Sequence, residues 1–215
     1  MIRSDRRVRI LAAGLSVLAG YVDAIGFITL GGYFVSFMSG NSTRLAVGLM
    51  RGTPSPVVAA MLIATFVLGV IAGSLTVHIT RRNRPTAVLT LVALLIGLAA
   101  VLGLSGVPIG AVIAMTLAMG AENTVFERDG EVRIGLTYMT GTLVKLGQGI
   151  TRAFLGGDRF AWTAYLLLWI GLVFGACMGA FVFPRLGWNA LWIAAVAAAM
   201  FAVIAAWVVP ATDET

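Results

Sequence analysis

Two acidic residues stand where acids are costly. Asp23 lies in the apolar run GYVDAIGF and Glu122 in MGAENTVF. An ionised side chain at the centre of a bilayer costs roughly 2.5–3.5 kcal/mol even on lenient insertion scales, and acids found there act as proton carriers, cation ligands or counter-ions. Counted from Gly20 and Gly120, the strict counterpart of Asp23 is Asn123, with Glu122 one position earlier. Asp23, Glu122 and Asn123 are therefore the candidates for proton or ion coupling. Two cations lie within reach in sequence, Arg44 and Lys145. They could pair with the acids, Asp23 with Arg44 and Glu122 with Lys145, as structural ion pairs. They could equally snorkel to a headgroup or add positive charge to a binding site. Glu122 is also near enough to Phe126 and the charged loop beyond it to sit at an interface.

Polar residues of a second kind surround the cations. The stretch FVSFMSGNSTRLAVGLMR, residues 34–51, returns as LTYMTGTLVKLGQGITR, residues 136–152. At an offset of 101, Met38 meets Met139, Ser39 meets Thr140, Gly40 meets Gly141, Arg44 meets Lys145 and Arg51 meets Arg152. Each stretch reads as a short helix headed by polar and small residues: Ser39, Gly40 and Asn41 in one, Thr140, Gly141 and Thr142 in the other. A helix start exposes free N–H groups and the positive end of a dipole, which suit an anionic or dipolar solute. The plainer reading is that Ser, Thr and Asn merely cap the helices. Tyr21, Tyr33, Tyr138 and Gln148 could line a polar path, while Trp162, Trp188 and Trp207 read as interface anchors.

The chain that must position these residues has 215 residues, 60% hydrophobic and 11% charged. Soluble domains carry about 25% charged residues, so this is an integral membrane protein of helical type. The net charge of +6 points to cytoplasmic loops facing anionic lipid, not to nucleic acid. One cysteine, Cys177, and one histidine, His78, exclude an internal disulfide and argue against a zinc site. No metal, cofactor, Ser-His-Asp arrangement or phosphate loop is expected, and the chain reads as no enzyme.

Hydropathy divides the chain into two units of one plan. The first, residues 1–107, has spans at about 8–30, 57–79 and 86–104, with the short helix at about 39–52 after a break at Gly31-Gly32. The second, residues 108–215, has spans at about 109–126, 160–183 and 188–209, with the short helix at about 140–156 and a turn at 184–187. The basic N-terminus resembles a signal peptide, but its apolar run reaches spanning length, about 20 residues, so it is read as a retained span. Gly69 and Gly73 fall on Gly171 and Gly175 at an offset of 102, extended by Gly179. Such small-xxx-small pairs allow close helix contact, including contact between copies in a homo-oligomer.

Charge counting sets the topology. If the short helices re-enter, each unit has three spans and the second is inverted. The arginines of the N-terminus, of 81–84, and at 128, 133, 152 and 159 then lie inside, and only Arg51 and Arg185 outside. Full crossing would give eight spans and move Arg81, Arg82 and Arg84 outside, against the positive-inside rule. The expectation is six spans plus two re-entrant half-helices in one membrane domain, both termini cytoplasmic.

The run G-Y-V-D-A-I-G-F followed by F-x-x-x-M-S-G-N resembles the YoaK-type family of bacterial inner-membrane proteins with a domain of unknown function. The resemblance covers nearly the whole chain and implies a multi-spanning bacterial membrane protein with no known substrate. The second unit reads M-T-G-T without the asparagine. Taken together, the residues point to transport of a small anionic or zwitterionic solute through a midplane site at the two half-helix starts, coupled to protons by Asp23 or Glu122. A passive channel of the same build, or a non-transporting scaffold or sensor, is the alternative.

Overall fold

The computed structural model describes residues 6–52, 55–80, 82–128, 131–132 and 135–208. Arg3, Arg81 and Arg133, which entered the charge count, lie outside the described residues. The helices are α1 (Arg6–Thr29), α2 (Met38–Arg51), α3 (Ser55–Ile79), α4 (Arg84–Leu104), α5 (Pro108–Glu122), α6 (Met139–Phe154), α7 (Thr163–Leu186) and α8 (Ala190–Val208). A two-residue ladder, β1 (Glu127–Arg128) with β2 (Glu131–Val132), forms part of the charged loop.

Length and apolarity mark four candidate membrane spans: Arg6–Thr29, Pro56–Ile79, Arg84–Leu104 and the 46-residue stretch Thr163–Val208. The last contains α7 and α8, which fold back on each other at Gly187. α5 is a shorter apolar helix of 15 residues. α3 shows why these are lipid helices: Val67, Leu68, Ile71 and Leu75 are exposed, and a helix apolar all round needs an apolar surrounding.

Glycines set the packing. A Cβ on Gly20 of α1 would strike the Leu172 carbonyl of α7, and one on Gly175 would strike the Val17 carbonyl of α1. The same happens between α3 and α5: Gly120 lies on the Phe66 carbonyl and Gly69 on the Leu117 carbonyl. Backbones meet because no side chain stands between them. The small-residue positions read from sequence are thus occupied by contacts inside the chain.

Contact order along each pair gives direction. Gly171, Gly175 and Gly179 of α7 meet α1 at Ala13, Val17 and Tyr21 in turn, so α1 and α7 run the same way. Gly69 and Gly73 meet α5 at Leu117 and Ala121, so α3 and α5 also run together. α8 opposes α1: Gly14 faces Phe201, and the Tyr21 hydroxyl donates to the Ala190 carbonyl at 2.9 Å. α8 also opposes α4, with Gly97 facing Trp192 and Gly103 facing Trp188. The core between these helices is almost wholly aliphatic, with Leu15, Ile25, Leu62, Leu89, Ile96 and Met115 fully buried.

Of three local expectations, one holds and two change. The chain does turn at Gly31 and Gly32, with φ of 61° and 109°, and the Gly32 N–H bonds back to the Phe27 carbonyl at 2.8 Å. The expected turn at 184–187, however, is helix through Pro184 to Leu186. A proline this late in a helix frees a single carbonyl, and the Arg185 guanidinium donates to the nearby Phe181 carbonyl. The chain reverses only at Gly187, with φ of 56°. Likewise α5 stops at Glu122, four residues before its expected end, and a series of turns carries 123–126 to β1.

Candidate functional site

The short helices begin without the caps that their sequence suggested. Phe37 and Tyr138 stand at the N-cap positions, and neither side chain caps. Ser39, Gly40 and Asn41 therefore lie in the first turn of α2, and Thr140, Gly141 and Thr142 in that of α6. In α6 the first N–H, that of Met139, bonds to the Thr137 carbonyl at 2.9 Å, and the next N–H groups of the first turn in both helices have no carbonyl a turn behind them.

The segment leading into α2 is not helical, yet it sits among helices, so its peptide groups need partners from elsewhere. Two side chains supply them. One carboxylate oxygen of Asp23, reaching across from α1, accepts the Val35 N–H at 2.9 Å and the Ser36 N–H at 2.8 Å. Asn41, fully buried, folds back from α2 onto Phe34: its oxygen accepts the Phe34 N–H at 3.1 Å and its amide donates to the Phe34 carbonyl at 2.7 Å. Asn41 is thus a clamp and not a cap. Aromatic contacts reinforce the bend, with the Phe34 ring tilted against Phe27 at 5.1 Å and edge-to-face with Phe37 at 5.2 Å.

The second unit makes different bonds at the corresponding place. Asn123, the counterpart of Asp23, accepts the Thr137 hydroxyl at 3.1 Å, and the Leu136 carbonyl accepts the Ser16 hydroxyl at 3.3 Å. Thr142, at the position of Asn41, is buried.

Neither of the ion pairs raised from sequence forms. Asp23 is held by backbone amides, and the Arg44 guanidinium instead lies over the Tyr33 ring at 5.0 Å, beside Gly32. Lys145 is exposed, and Glu122 is fully buried with neither carboxylate oxygen bonded. Protein side chains, not solvent, surround the Glu122 carboxyl.

The starts of α2 and α6 meet across one cavity of about 260 Å³. Its wall is Ser36, Phe37, Met38 and Ser39 from the first unit, Thr137, Tyr138, Met139, Thr140 and Gly141 from the second, and Phe66. Phe66 is midway along α3, so the cavity is level with the middle of that helix. Of the residues singled out from sequence, Ser39, Thr140, Gly141 and Tyr138 are in this wall. Gly40, Asn41, Thr142, Arg44 and Lys145 are not among its lining residues; Gln148 is exposed, and Tyr21 is engaged with α8. Gly40 is screened, since a Cβ there would lie 2.7 Å from Phe37 and 3.0 Å from Phe34, whereas a Cβ on Gly141 would meet nothing within 4 Å.

Sequence reasoning missed Ser36, Phe37, Met38, Thr137, Met139 and Phe66. A signal for most of them existed. At the same offset of 101, Ser36 matches Thr137, Phe37 matches Tyr138 and Met38 matches Met139, so the equivalence extends one turn ahead of the helices. Phe66 carries no such mark. The wall holds no charged side chain: it offers hydroxyls, two helix starts and an apolar surround.

Residues 11–204 match a family described as protein of unknown function (DUF1275). The chain is 38% identical over 188 residues to the UPF0700 transmembrane protein RA0705 of Rhizobium meliloti (strain 1021), covering 87% of this chain and 81% of that one. It is 31% identical over 145 residues to the UPF0700 transmembrane protein YoaK of Bacillus subtilis (strain 168), covering 64% of each. No solved structure matches the chain.

Proposed function

The chain belongs to the DUF1275 family of membrane proteins, and from that footing we propose that it carries a small anionic or zwitterionic solute across the bacterial inner membrane. The observation that carries this reading is the cavity of about 260 Å³ at which the first turns of α2 and α6 meet. Two helix starts aimed at one space favour negative charge there. Hydroxyls of Ser39 and Thr140 add donors, and Phe37, Phe66 and Tyr138 supply an apolar surround. Discontinuous helices of this kind recur at transporter sites near the midplane.

Helix directions support two inverted units. α2 runs from the cavity to the end of the bundle where α3 begins, and α6 runs to the opposite end, where α7 begins. α1, the first span of its unit, pairs with α7, the second span of the other, and α5 with α3 in the reciprocal way. On this reading α2 and α6 are half-helices, the spans number six, and both termini are cytoplasmic. Arg6, Arg7, Arg82 and Arg159 then gather at one end, as the positive-inside rule asks. The carrier reading assigns no enzymatic step.

The test is thermal unfolding of the purified protein against a panel of small carboxylates, phosphate and amino acids, with small organic cations as controls. A ligand bound only by the folded state raises the melting temperature. Gly141→Val fills the cavity without meeting protein atoms at its Cβ, so it should melt as wild type does and lose the ligand-dependent rise. Stabilisation by cations alone, or a rise that survives in Gly141→Val, would overturn the site.

A further inference from the structure

Glu122 has a place in the fold that its packing does not require. Its side chain is 0% exposed, and among the described residues neither carboxylate oxygen meets a hydrogen-bond donor. It continues the stripe of Met115, Ala118 and Met119 along α5, one and two turns behind it, all buried in the aliphatic core. The matching position of α1 is Val22, also 0% exposed. An apolar residue therefore suits this level of the bundle, and an acid is present in its place.

The helices around α5 offer no countercharge. On α3 the titratable side chain is His78, which is exposed. On α4 it is Arg84, whose Nε donates to the Thr80 carbonyl at 3.3 Å. α1 carries Arg6, Arg7 and Arg9 at its start, Tyr21, which bonds to Ala190, and Asp23, which bonds to Val35 and Ser36. None of these is a hydrogen-bond or ion-pair partner of Glu122. A bare carboxylate in such a setting is far costlier than a neutral carboxyl.

We propose that Glu122 is a proton-binding site: its carboxyl carries a proton in the conformation described here and yields it only when α5 parts from α3 and α4. The O–H bond then breaks to leave a carboxylate, and the proton passes to entering water. The site is tied to the cavity through one residue. Asn123, next in the chain, accepts the hydroxyl of Thr137, and Thr137 is in the cavity wall. A solute seated between α2 and α6 thus bears on the neighbour of the proton site. As the coupling group of the carrier, Glu122 rests on the proposed transport; as a protonated carboxyl it does not. Asp23, accepting two amide N–H groups, is on this account a positioning residue and not the proton carrier.

The experiment reads the proton itself. Full-length protein is placed in nanodiscs of phosphatidylethanolamine and phosphatidylglycerol at pH 8, where ordinary carboxyls are ionised. Infrared difference spectra between wild type and Glu122→Gln are recorded, with Glu122→Met as a second neutral replacement should the first insert poorly. The wild type should show the C=O stretch of a protonated carboxyl, absent from both variants and retained in Asp23→Asn. Unfolding exposes this carboxyl to water and releases its proton, so wild-type stability should fall as pH rises. The effect approaches about tenfold in the unfolding constant per pH unit for one proton, and the slope should flatten in the variants. Absence of the band in wild type, its persistence in both variants, or stabilisation by sodium or potassium in place of the band would overturn the proposal. The ligand panel can fail while the band is present, and the reverse, so the two readings are separable.

Discussion

Replacing Asp23 by alanine should cost the fold more than any other single polar deletion near the cavity. The carboxylate accepts two backbone N–H groups, from Val35 at 2.9 Å and Ser36 at 2.8 Å. Each donor left buried without an acceptor costs about 1–3 kcal/mol, so the pair should cost roughly 2–6 kcal/mol. Asp23→Asn keeps an acceptor oxygen and loses only the charge assistance, which about halves the strength of such bonds; a loss of roughly 1–2 kcal/mol is expected. Unfolding of the purified variants in one detergent, followed by tryptophan fluorescence, should therefore rank wild type, Asn and Ala in that order. Adding Arg44→Gln to Asp23→Asn should recover nothing, because Arg44 rests on the Tyr33 ring and not on the carboxylate. Wild-type stability in Asp23→Ala, or recovery on removing Arg44, would refute the reasoning.

Other perturbations follow from the same contacts. Asn41→Ala opens the clamp on both polar groups of Phe34 and should destabilise by roughly 1–3 kcal/mol, measured in the same melts. Gly40→Val should lower the melting temperature where Gly141→Val does not, since the first Cβ meets Phe37 and Phe34 and the second meets nothing. Gly175→Val drives a side chain into the Val17 carbonyl of α1, and should abolish recovery of folded protein from membranes. A single cysteine at Asn83, in a Cys177→Ala background, should react with impermeant reagents only in inverted vesicles; labelling in intact cells would reverse the assigned topology.

The amino-acid sequence determined the class of this protein and the whereabouts of its special residues. Hydropathy over windows of about 20 residues is a local property, and so the apolar helices were legible to within a few residues. The break at Gly31-Gly32 was legible for the same reason, since positive φ belongs to the residue itself. The kinship of 34–51 with 136–152 marked two helix starts that do meet at one cavity. Helix ends were less legible, because Pro184 reads as a stop until a neighbouring arginine is seen to serve its last turn. What the tertiary structure alone decided is who bonds to whom. Asp23 and Arg44 look like partners in one dimension, but the carboxylate is nearer to the unpaired amides of its own loop, and a cation can satisfy itself on an aromatic face. Asn41 looks like a cap, yet the peptide at Phe34 has greater need of it than the helix end has. Glu122 looks like an interfacial acid beside a charged loop, and the packing of α3, α4 and α5 closes over it. Partnership depends on which unsatisfied groups the fold brings within about 3 Å of one another, and composition and periodicity hold no record of that distance.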